Sequence, residues 1–334
     1  MRSRLAQIAQ MRRVAVRALA AYRLPAPRLR FVAHGENTTF RVRVAGPEGG
    51  EFLLRVHRPD RHGRGVDTVA AVSSELCWLE ALRRDTALEV PEPVRTGDGA
   101  LTVTVADEVP GPRVCSVLRW MDGRVEAGSP RPARFRRLGA AMARLHEHAD
   151  QWTPPDGFTR IRWDADAFFG DSMIYGGVPA ARCWELLPSP LRRRFEAVAE
   201  TVRPVLSAVA AAPGGVGLIH ADLHLETALF HRRGIQLIDF DDCGFGPRAY
   251  EFAVALWELR RRDDYGAFRQ ALLDGYDRRL PAGMEHLDDL IAAREVAFAL
   301  WYVGTAQVNP AFQADLGETL AASQQFLDWL RGPT

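Results

Sequence analysis

The sequence contains no lysine: all 43 residues of the Lys and Arg class are arginine. That absence excludes Schiff-base chemistry on a lysine amine, a lysine general base and the GxxxxGK[ST] phosphate loop. Any phosphate the protein handles must be held by arginine or by backbone N–H groups. Cysteine is scarce too. The four cysteines, Cys77, Cys115, Cys183 and Cys243, form no CxxC pair, which fits reduced, mostly buried thiols in a cytoplasmic protein. No apolar run reaches the length of a membrane span. The amphipathic stretch over residues 1–22 is broken by arginines and lacks the apolar core of a signal peptide. It reads as a core-capping helix, with a membrane-surface helix or an arginine-rich transit peptide as alternatives. Charge of one sign is also lacking. With 42 acidic residues against 43 basic ones, the net charge is +1, which argues against a general nucleic-acid binder.

What remains is a 334-residue chain, 47% hydrophobic and 25% charged, sized for two lobes around a shared cleft. Strand patterns dominate from residue 29 to about residue 120. Residues 29–32, 40–44 and 51–56 read as strands, the last two joined as a hairpin through Gly46-Pro47-Glu48-Gly49-Gly50. Residues 68–84 read as a helix with Val72, Leu76, Leu79 and Leu82 on one face. Residues 101–106 and 114–120 supply two more strands, so one helix on a small antiparallel sheet is the expected architecture. Beyond Asp122-Gly123 the pattern is helical. Residues 134–149 place Phe135, Leu138, Met142 and Leu145 on one face, and residues 195–211 form a helix expected to kink or break near Pro204. Strand character returns only at residues 216–219 and 235–238. These boundaries give an N-terminal helical segment (1–28), a small lobe (29–118), a hinge (119–123) and a helical lobe (124–334).

The densest chemistry lies in residues 218–253. One apolar strand delivers His220-Ala221-Asp222 and a second delivers Asp239-Phe240-Asp241. Two carboxylates leaving neighbouring strands suit phosphoryl transfer: one takes the proton of an attacking hydroxyl, the other holds the metal that bridges the phosphates. A lone HxD is an ordinary turn motif. The pair is far more specific.

HADLHLETALF followed by LIDFDDCGFGPRAYEFA resembles the catalytic core of the aminoglycoside phosphotransferase family, which also contains choline and homoserine kinases. The resemblance extends over residues 21–255 through FVAHGENTTFRV, FLLRVHRP, SSELCWLEALRRD, VLRWMDGR and LGAAMARLHEHA, and more loosely over the rest. It implies an α+β, two-lobed protein-kinase-like fold that binds ATP and Mg2+ between the lobes. It further implies transfer of the γ-phosphoryl group to a small-molecule hydroxyl. Asp222 would be the catalytic base, His220 a loop-holding histidine and Asp239 the magnesium ligand, with Asp241 either assisting or a loop acid. The acidic residue after the Gly-Pro loop is Glu251. Arg55 stands where the family places the phosphate-binding lysine, with Glu75 as its helix partner. Asn37 and Thr38 belong to the loop over the phosphates, which also reads as a plain hairpin turn. Arg119 and Met121 of the hinge would present backbone to adenine, with Trp120 as an apolar wall or an interlobe packing residue.

The family's metal-binding asparagine is replaced by Thr227, preceded by Glu226, and a threonine hydroxyl is a shorter ligand. This departure supports a nucleotide-binding pseudokinase as an alternative, and a protein Ser/Thr kinase is a further one. His146 and His148, two apart on a helix, make a poor metal pair. The arginine clusters at 134–137, 192–194 and 260–262 read as solvated helix faces. Asp164, Asp166 and Asp171 read as helix caps, with an acidic acceptor pocket as the alternative. The acceptor itself is not legible.

Overall fold

The alternation in FRVRV becomes a strand whose two sides have different fates. The small sheet begins with β1 (Arg28–His34), β2 (Thr38–Val44) and β3 (Gly50–Val56), paired antiparallel in that order. Phe40, Val42 and Val44 of β2 are buried, while Arg41 and Arg43 on its other side both reach Glu51. Before the sheet comes α1 (Arg4–Leu19); after β3 comes α2 (Thr68–Asp85), then β4 (Pro93–Val94), β5 (Thr102–Val105) and β6 (Arg113–Arg119). The sheet order is β1-β2-β3-β6-β4, with β5 also on β6, and every pairing is antiparallel. The computed structural model describes residues 3–331 except 25, 26, 47, 48, 60–62, 64, 126, 127, 129, 232 and 233. Pro47 and Glu48 of the expected hairpin turn lie outside the described residues.

Two helices flank this sheet: α2, and α1 from the stretch read as a core-capping helix. Val14, Ala15, Ala18 and Leu19 of α1 pack with Phe40, Phe52, Leu54 and Val117 in one core, so the arginine-interrupted amphipathic stretch is a capping helix. The apolar stripe of α2 joins Val114 and Leu118 in the main core, which continues into the helical lobe. Burial of these side chains contributes about 1.5–3 kcal/mol each. That is what holds the small sheet between its two helices.

The helical lobe contains α3 (Pro132–Gln151), β7 (Ile161–Arg162), α4 (Ala165–Phe169), β8 (Ile174–Tyr175), β9 (Val178–Pro179), α5 (Ala180–Leu186) and α6 (Ser189–Ala211). It continues with β10 (Val216–Ile219), β11 (Ala228–Phe230), β12 (Ile235–Leu237), β13 (Gly244–Pro247), α7 (Arg248–Trp257), α8 (Tyr265–Gly275), α9 (Leu287–Ala306) and α10 (Pro310–Arg331). Two expectations are corrected, and the strand pairing around the acidic motifs is defined. α6 runs unbroken through Pro204 and starts earlier, with proline in its first turn, where the missing N–H has no cost. Arg194 is buried on that helix, donating to Leu327 O, because α10 covers the face read as solvated. The strands that carry the two acidic motifs do not pair with each other. β10 pairs with β13, and β12 with β11, a three-residue strand too short to show a period. Among the described residues no helix is long and apolar enough to cross a membrane.

Candidate active site

A cavity of about 850 Å3 lies between the small sheet and the helical lobe. Arg55, Asn37, Arg119, Met121, Asp222, Asp239 and Asp241 all line it. Residues spread over two hundred positions of sequence are thereby brought to one space.

β3 carries Arg55 into the cavity between the inward-facing Leu54 and Val56. Its Nη2 lies 2.6 Å from Glu75 Oε1 on α2, and both side chains are almost fully buried. Burial works against a charged guanidinium, but Glu75, with Asp241 and Asp239 behind it, outweighs that and holds Arg55 charged. Glu75 itself does not line the cavity; it fixes the arginine from behind.

At the end of β10 the chain turns sharply, with Ala221 in the left-handed region at φ +65°. Such a conformation costs of order 1–3 kcal/mol and persists only where its surroundings impose it. Glu251, fully buried on α7, does so: its Oε1 accepts from the backbone N–H of both His220 and Ala221. Its Oε2 meets His146 Nε2 at 3.0 Å, and His146 Nδ1 meets the Tyr276 hydroxyl at 2.9 Å. His220 closes the loop from inside. Its Nδ1 accepts from Asp222 N at 3.3 Å, which leaves Nε2 to donate to Ile238 O at 3.0 Å. His148 turns away from His146 to Trp78 and Asp85, so the two histidines share no site.

Asp222 projects from this loop into the cavity. Its Oδ1 accepts from Arg294 Nη2 of α9 at 2.6 Å, and its Oδ2 lies 3.6 Å from His224 Nε2. Burial alone would raise the Asp222 carboxyl, but the Arg294 guanidinium and His224 outweigh it and hold the group well below the usual carboxylate range. The same contact raises His224 against its own burial.

Thr227 departs from the expected role. Its hydroxyl donates to Asp222 O at 2.6 Å and accepts from His224 N at 3.0 Å, so it ties the loop together and does not line the cavity. A short β-branched side chain has no reach left for a metal. Its neighbour Glu226 does line the cavity. Thr38 is corrected likewise: it is buried, with its hydroxyl 2.7 Å from His34 Nδ1, and does not line the cavity, whereas Gly35, Glu36 and Asn37 of the loop do. At the hinge, the Arg119 N–H is spent on Glu92 O within the sheet, and Trp120 lies beneath the Arg41 guanidinium rather than in the interlobe core.

Asp239 follows β12 and is the second non-glycine residue in the left-handed region, at φ +64°. Asp241, two residues on, accepts from Asn37 Nδ2 at 2.7 Å, joining the acidic motif to the loop between β1 and β2. Arg160 clamps this segment from below, donating to Asp241 O, Cys243 O and Ala71 O of α2. Among the described residues no cluster of three metal-ligating side chains forms a closed site. Two carboxylates, Asp239 and Asp241, lining the cavity nevertheless match magnesium, which takes few protein ligands and completes its shell with phosphate and water.

Several site residues have no local sequence signal. Arg294, Ala297, Phe298 and Trp301 recur at i, i+3, i+4 and i+7 along α9 and present one wall to the cavity. Glu36 Oε1 accepts from Trp301 Nε1 at 2.6 Å and from the Thr305 hydroxyl at 3.1 Å, latching the β1–β2 loop onto that wall. Asp164 is a cap, accepting from two N–H groups at the start of α4, and Asp171 accepts from Ala181 N. No acidic acceptor pocket forms from that segment.

Comparison with known proteins agrees with this geometry. The model of the phosphotransferase enzyme family matches residues 28–289. A homoserine kinase from Acidiphilium cryptum is 29% identical over 293 residues, covering 81% of this chain and 79% of that protein. The structure of a microcompartment-associated aminopropanol kinase superposes with a TM-score of 0.75 at 29% identity, covering 97% and 96% of the two chains. That of an amicoumacin kinase, solved with AMP-PNP, Ca2+ and its ligand, gives 0.74 at 18% identity over 96% of each chain. The fold is the two-lobed, protein-kinase-like α+β fold of these kinases. With its matching residues spanning both lobes, the chain belongs to the phosphotransferase enzyme family.

Proposed function

We propose that the protein is an ATP-dependent kinase that transfers the γ-phosphoryl group to the hydroxyl of a small, amine-bearing acceptor. The observation that carries this reading is the convergence of Asp222, Asp239 and Arg55, from three separate elements, on one cavity. Residues 29–118 and 124–334 form the two lobes, with 119–123 as hinge and 1–28 capping the small lobe. Arg55 sits on the phosphates, kept in place by Glu75. Asn37 stands at the loop over them, and Arg119 and Met121 border the base.

Asp239, with Asp241 beside it, would hold magnesium, which when bound neutralises charge on the β- and γ-phosphates. Asp222 orients the acceptor hydroxyl. As the oxygen–phosphorus bond forms, the bond from phosphorus to the β,γ-bridging oxygen breaks, ADP departs with that electron pair, and the hydroxyl proton passes to Asp222. Because Arg294 keeps Asp222 strongly ionised, the carboxylate aligns the hydroxyl through most of the reaction and takes the proton late, as a loose transition state permits.

An amine on the acceptor is supported by the walls. Glu258 and the Phe298 ring line this end of the cavity, and a carboxylate beside an aromatic face attracts an ammonium group. Both aminopropanol and homoserine, named for the related kinases, carry an amine and a hydroxyl. The test is an ADP-release assay with magnesium-ATP against amino alcohols, hydroxy amino acids, aminoglycosides and sugars. Acceptor-dependent turnover lost in Asp222→Asn supports the reading. No turnover with any acceptor would overturn it.

One observation favours a second reading, a nucleotide-binding pseudokinase: Thr227 is committed to its own loop, so the usual second metal ligand is not supplied. Nucleotide binding without transfer in the same assay would select it. The four free cysteines suit a reducing, cytoplasmic setting.

A further inference from the structure

The rings at the acceptor end of the cavity have no polar edge left to offer. Trp163, Tyr175, Trp257 and Trp301 line the cavity, and each carries one hydrogen-bonding group on its ring. All four groups are committed to the protein. Trp163 Nε1 donates to Asp242 O at 2.9 Å, and the Tyr175 hydroxyl to Ala167 O of α4 at 3.5 Å. Trp257 Nε1 donates to Glu295 Oε2 at 2.6 Å, and Trp301 Nε1 to Glu36 Oε1, also at 2.6 Å. Ile174 and Phe298 line the same cavity and have no polar side-chain atom at all. These side chains come from the segment between β7 and β8, the end of α7 and the middle of α9, so three separate parts of the helical lobe agree in character.

Ile174, Trp257, Phe298 and Trp301 are only half-buried, and the Phe298 and Trp301 rings pack side by side with centroids 5.8 Å apart. Apolar surface is thus left open inside the site, where covering it is favourable. Polar character at this end comes from charged side chains: Asp222 bonded to Arg294, with Asp242 and Glu258. They suit a hydroxyl and an amine. A further hydroxyl pressed against the rings would lose water and gain no partner, which disfavours polyhydroxylated acceptors. We infer that the acceptor carries, besides its hydroxyl and amine, a branched-alkyl or aryl group that lies against Ile174 and Trp301, with Phe298 serving both that group and the amine. An apolar body then sets specificity, while the charged groups orient it. Trp301 holds Glu36 of the β1–β2 loop, so filling this wall also packs the residue that latches the loop over the cavity. This rests on the phosphotransferase reading and adds the substrate class to it.

The experiment is a ladder of amino alcohols with one hydroxyl, one amine and a growing substituent: ethanolamine, alaninol, 2-aminobutan-1-ol, valinol and phenylalaninol, each chiral member as both enantiomers. Serinol and threoninol replace one methyl of 2-aminobutan-1-ol and of valinol by a hydroxyl. In the wild type, kcat/KM is expected to rise by about 3- to 5-fold per added aliphatic carbon, which places valinol about 30- to 100-fold above ethanolamine. Valinol should exceed threoninol by about tenfold, and Ile174→Asn, similar in size but polar, should bring that ratio toward one. The wild-type ladder needs no variant, so a misfolded Ile174→Asn leaves the test intact. A ladder that is flat or falls with size overturns the inference, as does a valinol–threoninol ratio unchanged in folded Ile174→Asn. Choline outrunning every member would show that the rings serve a methylated ammonium, and transfer to sugars or aminoglycosides alone would show a polar site; either overturns the inference while the kinase reading stands. Tryptophan fluorescence titration with phenylalaninol and serinol reads the same preference as a Kd, without transfer. If no acceptor is phosphorylated, the kinase reading falls; tighter binding of phenylalaninol would still uphold the apolar wall, and equal binding would overturn both.

Discussion

Arg55 and Glu75 form a buried ion pair, Nη2 to Oε1 at 2.6 Å, with both side chains almost fully buried. Breaking one side of such a pair strands the other charge in a dry core, which costs about 3–5 kcal/mol. Arg55→Met is therefore expected to lower the urea midpoint sharply and to abolish nucleotide binding. Replacing both residues, Arg55→Met with Glu75→Leu, should recover most of the stability and none of the binding. Denaturation curves and nucleotide titration of the two variants separate the structural role from the phosphate role. Recovery of nucleotide affinity in the double variant would show that Arg55 does not touch phosphate.

Asp222→Asn keeps an oxygen for Arg294 to bond but removes the proton acceptor. Transfer should drop by about 100- to 10,000-fold. Nucleotide affinity should stay at the wild-type value, because no phosphate contact is lost. Single-turnover transfer and calorimetric titration of the nucleotide check the two halves. A variant that turns over normally would remove Asp222 from the chemistry.

Thr227 holds the loop through Asp222 O and His224 N. Thr227→Ala leaves that buried carbonyl and N–H without their partner, worth about 1–3 kcal/mol, so kcat should fall by about 5- to 100-fold. The magnesium concentration that gives half-maximal rate should not move, since the hydroxyl does not line the cavity. A large increase in that concentration would make Thr227 a metal ligand after all.

The acidic motifs, the Arg55 strand and the small antiparallel sheet were legible because each is local: a period of two, an apolar strand ending in a carboxylate, a turn. Whatever depends on distant elements meeting was not. Arg294 is one arginine among many in the sequence, and only the docking of α9 against the loop after β10 brings it to Asp222. Arg160 reads as a lone basic residue until α2 and the Asp241 segment close around it. Thr227 shows the converse failure: its position in the motif suggested a metal ligand, but a hydroxyl on a short side chain bonds the nearest backbone first. β11 escaped notice because three residues cannot display a period.

Glu36 ties the β1–β2 loop to the acceptor wall through Trp301 and Thr305, while Arg58 holds the same loop through Gly35 O and Glu36 O and reaches Gly176 O. Nucleotide and acceptor sites therefore share one latch. Glu36→Ala should raise the KM for both substrates together, by about 5- to 100-fold for loss of buried hydrogen bonds. Initial rates over a grid of ATP and acceptor concentrations measure both constants. A change confined to one substrate would mean the loop and the wall act separately.

Arg294 also sets how the enzyme responds to acid. Transfer needs Asp222 ionised, and a carboxylate held below its ordinary range stays ionised until the pH falls through that depressed value. The wild-type kcat/KM should therefore show no acid limb from Asp222 down to about pH 4, near the ordinary pKa of an aspartate. Stability follows the same sign: the contribution of the Asp222–Arg294 pair is present above the unfolded pKa of the carboxyl and is lost only as pH drops through the folded one. In Arg294→Gln the largest attraction disappears while burial and the weaker pull of His224 and His220 remain, which moves the carboxyl upward. An acid limb should then emerge at higher pH than in the wild type, with activity rising as pH increases. The pH profile of the variant, taken with whichever acceptor it turns over fastest, decides the point. If the limb stays where the wild type has it, the low pKa of Asp222 comes from the His220 and His224 side of the loop and not from α9.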